Sequence, residues 1–324
     1  MGRVAFKGAD GLFVEQRNCW LLHHRWVYTS SSVRAYTAMP NWVLVLVVPE
    51  RQSVSTDIAY EGSRGRRSMK AAILSRAAKK MRDNMAVDIW KELVDQHLKE
   101  NVDGDKFVGI TLKTLSLPGK LPPELVKLPY FQEIDLCRNC LSGSIPIEWA
   151  SMPYLTLIAV CANNLSGPLP TGLQNFKNLK VLGVEANQFS GPIPDEIGNL
   201  TTLKRLNLAS NQFTGSLPTT LAKLVNLQDF RISDNKFNGI IPSFIGDWPW
   251  LKKLHLYASG LKGPIPDALT RLENLTDMRI SDMTGISSFP YISSKSMETL
   301  VLRNLSLSGQ IPSYIWSMPV LKTL

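Results

Sequence analysis

Residues able to do chemistry are few and poorly placed for it. Cys137-Arg138-Asn139-Cys140 is a CxxC, the spacing of many zinc and dithiol sites. Structural zinc takes four ligands, and only Cys161 stands nearby. A thioredoxin-type pair belongs at the start of a helix, whereas this one falls where a strand passes into a turn. All of them therefore read as structural cysteines. Cys137 and Cys161 hold equivalent places about 5 Å apart across a parallel sheet, within disulfide reach, although unbonded thiols are the expectation. The histidines are His23, His24, His97 and His255, and no HExxH or GxSxG accompanies them. Paired acids such as Asp195-Glu196 follow a Pro in what reads as solvated surface. No catalytic residue, metal ligand set or cofactor is expected.

The elements that must position any site come from a repeat. Gly stands at 119, 143, 167, 191, 215, 239 and 263, every 24 residues, and Pro follows three places later each time. Twelve, nine and seven places before Gly are apolar columns, as in Leu179/Leu182/Val184 and Leu203/Leu206/Leu208. Four places before it stand Asn139, Asn163, Asn187, Asn211 and Asn235. The LxL pair predicts a short strand with alternate side chains turned inward. No single unit can bury its own apolar face, so the units must stack. The Asn column sits where the chain leaves the strand, and its amides suit backbone groups that the turn leaves unpaired. Gly and Pro set the second bend.

Each unit reads LxxLxLxxNxLxGxIPxxL and resembles the plant-type leucine-rich repeat. The resemblance covers 107–324, as nine repeats of 22–24 residues plus a tenth cut at Leu324, and 131–269 fits column by column. It implies an α/β repeat fold, a right-handed solenoid with a parallel concave sheet. The tract Phe289-Pro290, Met297–Asn304 and Gly309–Ile315 further resembles the ectodomains of plant receptor-like serine/threonine kinases, in the subfamily that continues into a malectin-like domain. That family implies a secretory signal, a cysteine-containing cap, a membrane helix beyond the repeats, a cytoplasmic kinase and plasma-membrane localisation with extracellular repeats, where a co-receptor would act. This chain contains no phosphate loop, HRD or DFG, so kinase activity is not carried over.

Side chains alternating with the strand leucines face outward on the concave sheet. Arg205, Asn207, Asp229, Arg231, Lys253, His255, Tyr257, Asp277, Arg279 and Arg303 are the candidate ligand contacts. The column Asn207-Arg231-His255-Arg279 leads, with Tyr257 as a stacking anchor. The competing reading is a solvated face whose charges satisfy one another, such as Arg231 with Asp229 or Asp234. Sequons at Asn164, Asn199, Asn274 and Asn304 are the glycosylation candidates.

Residues 1–106 carry no repeat. The span 1–68 reads as irregular, disordered or non-native, apart from a strand-like apolar run at Trp42–Val48 that is too short to cross a bilayer. Residues 69–106 read as an amphipathic helix capping the first repeat. A signal peptide and a membrane span are not seen in this sequence. The formal charge of +9 divides into +5 over 1–106 (17 basic, 12 acidic) and +4 over 107–324 (19 basic, 15 acidic). Nowhere is it concentrated with aromatics as nucleic-acid binding requires. The sequence thus points to a binding module for a peptide, protein or cell-wall carbohydrate. A secreted polygalacturonase inhibitor, or the truncated product of a full receptor kinase, are the alternatives.

Overall fold

The computed structural model describes residues 43–47, 55–61 and 106–324, all within the compact unit Pro40–Leu324. Its main sheet takes one strand from each repeat: β3 (Lys106–Leu112), β5 (Glu133–Asp135), β7 (Leu157–Ala159), β9 (Val181–Gly183), β11 (Arg205–Asn207), β13 (Asp229–Arg231), β14 (Lys253–His255), β15 (Asp277–Ser281) and β16 (Thr299–Arg303). These strands are parallel and paired in repeat register, so Val181, Arg205, Asp229, Lys253 and Asp277 form one row. The apolar columns lie beneath them, with Leu182, Leu206, Phe230 and Leu254 fully buried.

A second parallel sheet appears where the chain turns away: β4 (Pro118–Lys120), β6 (Cys140–Gly143), β8 (Asn164–Gly167), β10 (Gln188–Gly191) and β12 (Gln212–Phe213). The helical half of the repeat consists of five-residue 3-10 helices such as Thr171–Asn175 and Asp195–Asn199, each entered through an extended Pro and burying its central Leu, Ile or Trp. Five residues leave no room for a stable α-helix, and the tighter i+3 bonding closes the turn.

The Asn column joins the repeats. Asn187 donates through Nδ2 to the carbonyls of Val160 and Val184, and its Oδ1 accepts from the Leu165 N–H, all at 3.0 Å. Asn139, Asn163, Asn211 and Asn235 repeat the arrangement. The residue just before each Asn is left-handed, with φ of 61° at Arg138, 51° at Ala162, 55° at Ala186 and 52° at Asp234. Such φ costs a side-chain-bearing residue about 1–2 kcal/mol. The N–H of each still reaches the next repeat, as from Ala186 to the Ala209 carbonyl at 2.9 Å. Behind the ladder Phe189, Phe213 and Phe237 stack at 6.3 and 6.2 Å between ring centres.

β1 (Val43–Val47) falls in the apolar run read as strand-like. Two findings go beyond the sequence reading: β2 (Ser55–Glu61), in a span read as irregular, is a strand that pairs antiparallel with both β1 and β3, and a disulfide forms where free thiols were expected. Backbone pairing therefore covers the open edge of the first repeat, where an exposed edge would invite association. The helix expected over 69–106 lies outside the described residues except for Lys106, which begins β3. Cys137 and Cys161 are joined by a disulfide across adjacent strands, with Cα atoms 4.5 Å apart. The equivalent positions of two repeats bring the sulfurs together without any local signal for a bond.

Replacing Asn187 by Ala strands a buried N–H and two carbonyls and is expected to lower stability by about 2–4 kcal/mol. Exposed Asn178, whose single bond runs to the Pro153 carbonyl, should cost under about 1 kcal/mol on the same change; urea unfolding of the two variants compares them. Non-reducing peptide mapping is expected to recover the Cys137 and Cys161 peptides as one cross-linked species.

Candidate functional site

Strand pairing sets the concave face. Successive strands carry Arg205 and Asn207, then Asp229 and Arg231, then Lys253 and His255, then Asp277 and Arg279. Two aspartates organise these residues. Asp229 keeps only 8% of its side chain exposed and is gripped by Arg231 through Nε and Nη2 at 2.7 and 2.9 Å. Arg205 adds an Nε contact at 3.3 Å. Asp277 is held in the same bidentate way by Arg279, at 2.8 and 3.2 Å. His255 Nε2 lies 3.0 Å from its Oδ2, an ion-pair distance without hydrogen-bond alignment. A partly buried carboxylate needs such donors to offset its desolvation.

The open choice for Arg231 is thereby resolved in favour of Asp229, and Asp234 instead accepts from the Ser210 hydroxyl. Each fork still leaves Nη1 of Arg231 and Arg279 without a hydrogen bond among the described residues. The guanidinium planes are thus fixed while part of their donor capacity faces outward.

The leading column is not uniform. Asn207 is buried and uses Oδ1 on the Ala209 N–H at 3.2 Å, a local turn bond. His255 is buried at 9% side-chain exposure. Tyr257 is half-buried, its ring centre 6.3 Å from that of His255. Lys253 is exposed and unpaired among the described residues. Arg303 stands at the far end with a 3.4 Å contact to Asp282. The structure therefore gathers the Arg205/Asp229/Arg231 and His255/Asp277/Arg279 groups and leaves Arg303 apart.

Sequence reasoning passed over Glu185 and Ser233. Glu185 Oε2 and the Ser233 hydroxyl are buried without a hydrogen bond among the described residues. A side chain at Gly183 would put Cβ 3.2 Å from that oxygen, so the glycine makes room for it. Burial pushes the Glu185 carboxyl up, against its own backbone hydrogen bond and the opposing charges of Arg231 and Arg205. Glu185 was legible only as an acid facing outward, because burial of one oxygen depends on Gly183, the last residue of β9.

The four sequon asparagines are exposed. Asn274 donates to the Pro249 carbonyl and Asn304 to Asp282, each at 2.8 Å. Among the described residues, no group of three or more His, Cys, Asp or Glu side chains is placed to hold a metal, and no helix is long and apolar enough to cross a membrane.

Burial alone would raise the Asp277 carboxyl, but His255 and Arg279 outweigh it and hold the group well below the usual carboxylate range. A depressed folded-state value stabilises above the unfolded value and fades as pH falls through the folded one. The stability gap between the wild type and Asp277→Asn is expected to be full above about pH 4 and to shrink below it, as read by urea unfolding across pH.

Comparison with known proteins agrees with this architecture. A Leucine Rich Repeat family model matches residues 178–200, 202–224 and 226–248. Over 36 residues the chain is 69% identical to an Arabidopsis thaliana protein named "Probable LRR receptor-like serine/threonine-protein kinase", covering 11% of this chain and 4% of that one. Among solved structures it is 30% identical to the plant peptide hormone receptor RGFR1 in complex with RGF2, with a TM-score of 0.60, over 66% of this chain and 35% of that one. The LRR ectodomain of GASSHO1/SCHENGEN3 from Arabidopsis thaliana, in complex with CASPARIAN STRIP INTEGRITY FACTOR 2, is likewise 30% identical, with a TM-score of 0.59, over 66% of this chain and 26% of that one. The chain spans about a third or less of the length of these relatives.

Proposed function

We propose that this chain, a leucine-rich-repeat solenoid of the plant receptor-kinase ectodomain type, is the ligand-binding part of an extracellular receptor and does no chemistry itself. The observation that carries the reading is the pair of anchored cation groups on the concave sheet. Asp229 and Asp277 lie on strands two apart, about 10 Å, and each fixes an arginine before any ligand arrives. Fixed donors lose little freedom on binding, which is how a modest surface gains affinity. A peptide or protein segment laid across the strands would meet them with its carbonyl and carboxylate oxygens.

The relatives support a peptide as the first candidate, since RGFR1 and GASSHO1/SCHENGEN3 are described with RGF2 and CASPARIAN STRIP INTEGRITY FACTOR 2 bound. In this reading a co-receptor would join the bound complex, the kinase and membrane anchor would belong to other parts of a longer receptor, and the exposed sequons would carry glycans. The tract 289–315 supports placing it in the subfamily with a malectin-like domain.

A displayed library of random peptides, selected on the immobilised chain, tests the proposal. Enriched peptides are expected to lose at least about tenfold in affinity for the triple variant Arg231→Ala, His255→Ala, Arg279→Ala. Unchanged affinity in a variant that keeps its circular dichroism removes the site.

A further inference from the structure

A six-residue pattern, Asp-x-Arg-Ile-Ser-Asp, occurs twice on the concave strands, 48 places apart: Asp229-Phe230-Arg231-Ile232-Ser233-Asp234 and Asp277-Met278-Arg279-Ile280-Ser281-Asp282. The unit between them departs from it and reads Lys253-Leu254-His255-Leu256-Tyr257-Ala258. Strand pairing sets Arg231, His255 and Arg279 side by side, so the two arginines stand two strand spacings apart, about 9.6 Å. Each is forked onto the aspartate of its own strand, yet 29% of the Arg231 side chain and 43% of the Arg279 side chain stay exposed. The same grip on both guanidiniums makes the distance between them a property of the sheet, not of two flexible stems.

A second, independent observation is what lies between the forks. His255 closes the intervening strand and Tyr257 follows two residues later, with ring centres 6.3 Å apart and planes inclined by 42°. His255 is buried, whereas Tyr257 is only half-buried. In neighbouring units the place of Tyr257 is taken by Ala209, Ser233 and Ser281, and both serines are buried. The phenol is therefore the single large side chain in its row from 209 to 281, standing above small neighbours on the strand that separates the two arginines.

We infer that this face takes an acidic peptide segment in the polyproline II conformation, with carboxylates three residues apart and a proline between them on Tyr257. The inference rests on the peptide-binding reading above and names the class of peptide. A segment crossing the strands must bring two anions to one side about 9.6 Å apart. An extended β-strand places same-side residues roughly 6.6 or 13.2 Å apart, and neither distance matches. Polyproline II has three residues per turn and rises about 3.1 Å per residue, so residues i and i+3 share a side at about 9.3 Å. An α-helix returns to the same side only at i+7, about 10.5 Å away. Each carboxylate would accept from the outward nitrogen of one fork, a charge-assisted bond. Aromatic surfaces are a common seat for polyproline II segments, whose preset backbone loses little freedom on binding. Lys253, exposed on the same strand as His255, adds positive charge without selecting the spacing.

Fluorescence anisotropy of the whole chain with labelled proline-rich peptides is the test. Each peptide carries two glutamates in a run of prolines, placed at i and i+2, i and i+3, or i and i+4. The i,i+3 peptide is expected to bind at least about tenfold tighter than the other two. Exchanging its intervening prolines for Gly and Ser, with both charges kept, should cost several-fold through lost preorganisation. Tyr257→Ala should cost several-fold for the proline peptide and little for the Gly and Ser one, and Arg279→Gln should bring the i,i+3 peptide down to the level of the others. Circular dichroism and an unchanged urea midpoint verify that each variant is folded, and the spacing series is read on the wild-type protein alone. No binding by any of the three, equal affinity at all spacings, or unchanged binding by Tyr257→Ala overturns the assignment. Tighter binding of an alanine-rich helix with glutamates at i and i+7 overturns it as well. Library peptides that bind through Arg231 and Arg279 without this spacing remove the polyproline II assignment and leave the peptide-binding proposal standing.

Discussion

The asparagine amide that bridges one repeat to the next is the contact on which the rest of the structure depends. In Asn163, for example, Nδ2 and Oδ1 satisfy backbone groups of two successive turns at once, in an interior where an unpaired carbonyl or N–H costs about 1–3 kcal/mol. That holds each repeat in register with its neighbour and fixes the left-handed residue just before the asparagine. Once register is fixed, every position of the repeat becomes a straight row on the surface. Leucine rows close the core, and the rows between them are left to vary.

Function follows from what occupies those free rows. On the concave sheet the aspartates at 229 and 277 are buried far enough to need partners, and the arginines two residues later on the same strands provide them. Removing one partner of such a pair leaves an uncompensated charge, so the pairs are rigid as well as charged. The outward guanidinium nitrogens are then displayed by groups already held still. The concave sheet thus presents cations that are already held in place.

The repeat also explains where the structure departs from regularity. Ser259 replaces asparagine in the seventh unit, and its hydroxyl keeps only a 3.4 Å contact to the Leu261 N–H. In the eighth unit Met283 fills the place with a buried apolar side chain. There β15 and β16 lengthen to five residues each and pair along their whole length, so backbone ladder bonds supply cohesion that the amide no longer gives. At the other end β2 closes the sheet by antiparallel pairing, a long-range contact that no 24-residue period encodes.

The sequence by itself determined the period, the core columns, the asparagine row and the set of side chains facing outward, because in a stacked array the spatial neighbour of residue i is residue i+24. Only the tertiary structure decided which of those side chains are available. Asn207 and Arg231 stand in the same column, yet one is buried in a turn bond and the other is held by Asp229. Glu185 loses water from one oxygen because Gly183 lies beside it. Cys137 and Cys161 bond because two equivalent places face each other at 4.5 Å between Cα atoms. Periodicity fixes where a residue sits, whereas burial, partner choice and rotamer depend on the particular neighbours that packing supplies.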